Sequence, residues 1–386
     1  MSEARRTLLL VVDGLGIGAM PDADTVDRRA STLRHVVPVE CESQFPAFQK
    51  AGLFTLLDQP IAARGVRAGL GYPGADSYQG QNEVLGGVAP AICPDTISDR
   101  RTLVAQALSE SGRHVEMLMG GRALWVDKSV LVYDNLEAKP GMAINVAGSL
   151  QTMDFGHIER IGHTVRNHVR NPRVIVFASP LVSPEMILQG IHIDPTGRVG
   201  ISAPDVGFYQ DGYEVRHFGA GYDPALELPD RLAMRDIPVV LVGKMADVAE
   251  SSASVLRFPL VDTKEALRMA TYQFDQMKTS GGFVAVTVQE TDLAGHDQDV
   301  SRFRSHLTNV DRWLTRFIPC LKASDMVILT ADHGNDPTIG SHHSREFVPV
   351  LVFGPKVLPP DSPLPNLRGV ADKIFRFMVE GGSNNA

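Results

Sequence analysis

The chain has 386 residues, 44% of them hydrophobic and 21% charged, and a formal net charge of -8. That length holds two domains, or one large domain with an insertion, and the composition is that of a globular chain rather than a disordered or fibrous one. The negative balance argues against nucleic acid as a partner, because a phosphodiester backbone calls for a basic surface; it does not exclude a small anionic substrate held by a metal.

In chain order, Arg5 and Arg6 precede an apolar run, Thr7 to Val12, that ends at Asp13. The run is too short for a signal peptide and has no small-residue cleavage site. It is predicted to be a buried strand that delivers Asp13 into a glycine-rich turn over 14–18. No apolar stretch approaches the roughly 20 residues of a membrane span. Residues 74–83 read Gly-Ala-Asp-Ser-Tyr-Gln-Gly-Gln-Asn-Glu, with Ser77 directly after an aspartate. From about Ala91 to about Pro238 the pattern changes. Strands such as Ser129 to Tyr133 and Arg173 to Ala178 alternate with helices and long Gly/Pro-rich connections. This part, residues 93–238, is predicted to be an inserted α+β cap domain, so that 1–92 and 239–386 build one core. In the second core segment, 239–243, 282–289, 325–331 and 350–353 read as buried strands. An amphipathic helix is expected from Asp262, a plausible N-cap, to Met277. Another carries Val300, Phe303, Leu307, Val310, Leu314 and Phe317 on one face. Strands alternating with helices predict an α/β core: a mostly parallel sheet with helices on both faces. Cys41, Cys93 and Cys320 form no disulfide framework and no CxxC site, and fit reduced thiols in a cytoplasmic protein.

The chemistry gathers at predicted strand ends, where open α/β sheets place their ligand sites. Four separated segments supply donors. They are Asp13; the segment around Ser77; Asp292-Leu293-Ala294-Gly295-His296; and Asp332-His333 with His343. Singly each is weak, since a strand-end aspartate is more often a cap or a turn residue. Together they make seven donors for two divalent cations. One cation takes Asp292, His296 and His343. The other takes Asp13, Asp332 and His333, with Ser77 as an oxygen ligand. Mixed carboxylate and imidazole donors suit Mn²⁺ or Zn²⁺ better than Ca²⁺. Two cations about 4 Å apart clamp the attacking and leaving oxygens of an in-line displacement. Coordination also activates a serine hydroxyl, which is a poor nucleophile by itself.

The order and wording of these segments resemble the alkaline phosphatase superfamily and, within it, the phosphopentomutase family. The strings that carry the resemblance start at Val12-Asp13-Gly14-Leu15-Gly16-Ile17-Gly18 and Ser31-Thr32-Leu33-Arg34-His35. They continue at Val242-Gly243-Lys244-Met245, at Thr330-Ala331-Asp332-His333-Gly334-Asn335-Asp336-Pro337 and at His343-Ser344-Arg345-Glu346-Phe347-Val348-Pro349. They cover residues 7–90 and 239–375 and fade across the insertion. The resemblance implies a phosphatase-like core with a cap domain and two divalent ions, most often Mn²⁺. It implies a phosphorylated hydroxyl at Ser77 and phosphate moved between positions of a pentose phosphate. It also implies substrate contacts from Lys244, Asn135 and Glu137. There are departures. Ser77 replaces the family threonine, Gln81-Asn82 replaces His-Trp, and the spacing from Asp292 to His296 is one residue shorter. The family's phosphate-gripping arginine has no clear counterpart; Arg173, Arg198 and Arg216 are loose candidates. Two activities remain open. A phosphomutase acts through a phosphoserine on a pentose or related sugar phosphate; a metal-dependent phosphohydrolase lets water take the same phosphoryl group. Oligomeric state is not legible.

Overall fold

The computed structural model describes residues 4–89, 95–136, 138, 140–219, 221–249, 251 and 253–380. The chain forms two compact units, Met1–Ala89 with Asp223–Ala386, and Pro90–Tyr222.

The first unit is α/β, built on an eight-stranded sheet. Its centre is the Arg6–Val12 strand, which runs parallel to Gly282–Val288 on one side and Asp325–Thr330 on the other. Every residue of these three strands is buried. A strand buried at successive residues is covered on both faces, which is why each reads as an unbroken apolar run. Val239–Val242 and Leu256–Phe258 continue the parallel part beyond Gly282–Val288. On the other side lies the antiparallel minority of a mostly parallel sheet. Val348–Phe353, Gly65–Ala68 and Ile61–Ala62 each pair antiparallel with the preceding strand. The tight connection from Ala62 to Gly65 permits only antiparallel pairing of the last two strands. Pro349 lies inside its strand but pairs only with Arg67 at that register, because contact with Asp325–Thr330 begins at Leu351. A residue without an N–H is tolerated where one side of the strand is open.

The two expected amphipathic helices are Thr263–Gln276 and Val300–Phe317. Asp262 caps the first by accepting from the Glu265 amide, and Asp299 caps the second by accepting from Arg302. Parallel pairing aligns the carboxyl ends of the central strands. Val12 stands opposite Val288, and Val11 opposite Thr330. Asp13, the turn after Val288 and Asp332 therefore leave the sheet along one edge.

The second unit is α+β. Its six-stranded sheet runs Glu214–Gly219, Arg173–Ser179, Ala143–Ser149, Val130–Asp134, Ala123–Val126, Val115–Leu118. Only Ala143–Ser149 and Arg173–Ser179 pair parallel; the other pairings are antiparallel. The helices Ile97–Glu110 and Phe155–His168 supply Val104, Leu108, Ile158 and Val165 to the core on one face. Phe177, Val182, Ile187 and Phe208 fill the other.

The boundary differs from the expected 93–238. The chain rejoins the first unit at Asp223, not at the strand starting with Val239. The Leu228–Ala233 helix buries Leu228 and Leu232 in the first core, and the Leu228 amide donates to Leu85 O (2.7 Å). A six-residue helix is too short to show a period in sequence, so a boundary drawn at the next strand falls late.

Candidate metal centre

Asp13, Asp332 and Asp292 each follow a central strand. The Asp13 amide still belongs to the ladder and donates to Val288 O (3.1 Å). Gly14 then turns with φ +78°, a conformation that glycine takes without strain. Asp292 and His296 sit one turn apart on the Glu290–His296 helix, so both face the same way. Ser77 is the first residue of the Ser77–Val84 helix, whose N-cap Asp76 accepts from the Gln79 amide (3.1 Å). That helix lies against the loop carrying Asp332: a Cβ on Gly80 would stand 2.4 Å from Asp332 O. Only glycine allows this approach.

These segments converge. The ligand atoms of Asp292, His296 and His343 lie within 4.8 Å of one another, and so do those of Asp13, Asp332 and His333. Ser77 Oγ lies 2.7 Å from His333 Nε2 and 3.3 Å from Asp13 Oδ1. Lys244 Nζ bridges the two trios, 2.6 Å from Asp13 Oδ2 and 3.1 Å from both Asp292 Oδ2 and Ser77 Oγ. All seven donors expected from the sequence thus meet at one place, with Lys244 among them.

The tautomers follow from the carbonyls behind each ring. His333 Nδ1 faces Gly334 O (3.0 Å), His296 Nδ1 faces Ser341 O (2.8 Å), and His343 Nδ1 faces Ala75 O (3.3 Å). A carbonyl only accepts, so each Nδ1 carries the hydrogen and each Nε2 faces inward. His296 Nε2 and His343 Nε2 are 3.1 Å apart. Two bare lone pairs do not sit at that distance unless a cation or a proton lies between them. Protonation reflects this. Burial presses His296 down, but its bond to Asp292 carries it up to about 9. Burial and the neighbouring His333 push His343 down to about 4. Burial, with the charges of Asp292 and Asp332, raises Asp13 well above the carboxylate range, and burial lifts Asp332 to about 6. Asp292 goes the other way: despite burial, Lys244 and the two histidines hold it well below its usual value. Three carboxyl groups buried together, with Asp13 and Asp332 pushed toward the neutral form, are a setting that divalent cations would ionise and neutralise. Inward-facing imidazole nitrogens and carboxylates at this spacing fit two such ions, of the Mn²⁺ or Zn²⁺ kind.

A family model described as "Metalloenzyme superfamily" matches residues 145–373. The chain belongs to the metalloenzyme superfamily. It is similar to the phosphopentomutase of Symbiobacterium thermophilum, at 27% identity over 93% of this chain and 90% of that one. It is also similar to the phosphopentomutase of Methylorubrum extorquens, at 28% identity over 92% of each. Among solved structures, it is similar to PH0037 protein from Pyrococcus horikoshii, at 14% identity and a TM-score of 0.47 over the full length of both.

Within this member of the superfamily, several contributors escaped sequence reasoning. Every residue of the Ser77–Val84 helix is buried although most are polar. Gln81 explains part of this: its Nε2 donates to Asp332 Oδ2 (2.9 Å) and its Oε1 accepts from Thr287 (2.9 Å). It orients a carboxylate of the cluster from behind. Asn335 does the same for Asp292 (2.8 Å). Arg345 pairs with Asp22 and donates to Tyr72 O and Gly74 O, fastening the turn that leads to Ser77 beside the His343 loop. Gln81 and Arg345 stood in strings already singled out, but nothing in a string says which carboxylate or carbonyl a side chain will reach.

The expected substrate contacts fare differently. Glu137 lies outside the described residues. Asn135 belongs to the second unit and is buried. Its Nδ2 donates to Asn145 and its Oδ1 accepts from the Ala138 amide. Arg198 is no free phosphate grip: it donates to Asn135 O and Ala138 O (2.7 Å each) and pairs with Asp194. Arg216 faces Glu159 (3.4 Å). Among the described residues, no helix is long and apolar enough to cross a membrane.

Proposed function

We propose that this chain is a phosphomutase that moves a phosphoryl group between positions of a pentose or related sugar phosphate through phospho-Ser77, with two divalent cations, Mn²⁺ or Zn²⁺. One cation belongs to Asp292, His296 and His343, the other to Asp13, Asp332, His333 and Ser77. The single observation that carries this reading is Ser77 Oγ within reach of Asp13, His333 and Lys244, the lysine that also reaches Asp292. The similarity to phosphopentomutases over most of the chain supports the mutase reading.

When bound, the cations neutralise charge on the transferring phosphoryl group and favour the ionised serine oxygen. The chain's own residues do the rest. The buried helix fixes Ser77 Oγ, so attack on phosphorus needs little reorganisation. As Ser77 attacks phosphorus, its hydroxyl proton ends on the departing sugar oxygen, because Asp13 and the His333 Nε2 lone pair would be committed to the cation. Lys244, 3.1 Å from Ser77 Oγ, lies where it meets the oxygens of the phosphate on Ser77. Burial presses on its ammonium, but Asp13 and Asp292 hold it protonated well beyond neutral pH. In the second half the reoriented sugar attacks phospho-Ser77 through its other hydroxyl, and Ser77 recovers the proton. A hydrolase differs only in letting water take that role.

The deciding experiment incubates the protein with ribose 5-phosphate and Mn²⁺. The expected outcome is ribose 1-phosphate. Stoichiometric free phosphate without any 1-phosphate identifies the hydrolase instead.

A further inference from the structure

Away from Ser77, the first unit holds an open pocket of about 740 Å³ whose wall includes Arg231, Arg235 and Arg368. Among the described residues, Asp372 is the only acid in its lining. In a chain of net charge -8 this is a local excess of positive charge. Two side chains are held ready rather than left to wander. The guanidinium carbons of Arg231 and Arg235 stack over the Phe375 ring, 4.0 and 4.7 Å from its centroid. Stacking uses the flat face of a guanidinium and leaves its edge N–H groups for an acceptor.

Those groups are barely used. Arg231 makes one long ion pair with Asp372 (3.5 Å), and Arg235 donates once, to Arg231 O (2.9 Å). Among the described residues, the Arg368 guanidinium has no hydrogen bond or ion pair. Each guanidinium offers five donors. Arg198, in the second unit, shows how this chain spends an arginine that only shapes structure: on carbonyls and a carboxylate. Three guanidiniums lining one pocket with most of their donors unspent match a phosphoryl group, which accepts through several oxygens at once.

We infer that this pocket binds the phosphoryl group of a small phosphorylated molecule, at a site separate from Ser77. A concave, bounded pocket on an otherwise acidic chain suits a small anion rather than a polyanion. The separation follows from the fold. Gly86, in the pocket wall, lies beyond the end of the Ser77–Val84 helix, whose eight residues span about 12 Å. Leu85 O, one residue before Gly86, accepts from the Leu228 amide, so the helix that carries Arg231 is tied to the end of the helix that carries Ser77.

The test is calorimetric titration of the full-length protein with inorganic pyrophosphate in EDTA. One saturable site per chain is expected. Combining Arg235→Gln and Arg368→Gln weakens it at least tenfold, while Lys244→Met leaves it unchanged. Arg368→Gln alone, which breaks no contact, gives a smaller loss in the same direction with an unchanged melting temperature. The inference is overturned by a lack of saturable binding, by the double variant binding like the parent, or by loss on Lys244→Met, which would place the anion at the metal centre.

Discussion

Three imidazoles in the first unit turn the same nitrogen toward the same space, each steadied by a backbone carbonyl behind it. Without cations, the proton on His296 occupies a position that a cation contests. Cation affinity is therefore expected to rise with pH through neutrality to about 9, where that proton leaves unaided. Below about 6, protonation of Asp332 lowers it further. Calorimetry with Mn²⁺ in buffers of different ionisation enthalpy reads the released protons; an affinity independent of pH between 6.5 and 9 contradicts the assignment. The same shift has a sign for stability. A raised histidine pKa means the folded, metal-free protein holds the proton more tightly than the unfolded chain. That contribution is complete below about 6.5 and is lost as pH rises through about 9. Melting temperatures in EDTA are expected to fall over this window, and saturating Mn²⁺ removes the trend. Ser77→Ala is expected to keep its cations and lose turnover by several orders of magnitude; metal analysis with the ribose 5-phosphate assay separates the two. Gln81→Leu strips Asp332 of its neutral donor and is expected to weaken one of the two cations about 10- to 100-fold, as loss of an outer-shell partner does. Equal loss at both sites would point to general misfolding instead.

At the scale of elements, the Ser77–Val84 helix shows what burial demands. A polar helix sunk in a core survives only if its side chains are satisfied. Asn82 donates to Tyr78 O and Val248 O, and Glu83 accepts from the Gly71 and Leu367 amides. The cap is testable. Asp76→Ala removes the acceptor for the Gln79 amide and is expected to cost about 1 kcal/mol, while Asp76→Asn retains most of it. Chemical denaturation compares the two. The strands needed no such care: Arg6–Val12, Gly282–Val288 and Asp325–Thr330 are unbroken apolar runs, and that pattern made them legible before any coordinates. The Leu228–Ala233 helix was illegible because six residues complete less than two turns.

At the scale of the molecule, a core assembled from two distant stretches of chain carries every donor, and the unit between them is continuous and has its own two-sided core. The mutase reading assigns that inserted unit the holding of the sugar and the exclusion of water. Replacing residues 90–222 by a short linker is feasible because the flanks already meet, Leu85 O with the Leu228 amide. The shortened protein is expected to keep its cations and release free phosphate in place of ribose 1-phosphate. Continued isomerisation would remove the insertion from the chemistry.

The sequence by itself determined which candidate donors gather in the first unit and that Asp13, Asp292 and Asp332 follow central strands to one edge of the sheet. Strand ends follow from local apolar runs, and parallel pairing aligns them. Only the tertiary structure decided which nitrogen of each histidine points inward, that Gln81 stands behind Asp332, that Asn135 and Arg198 are spent on contacts within the second unit, and that three arginines from two distant segments share one pocket. Most of these depend on a hydrogen bond or stacking contact between residues far apart in the chain, and the short-range ones, such as His333 Nδ1 to Gly334 O, depend on a side-chain orientation that packing sets; local pattern carries no record of either.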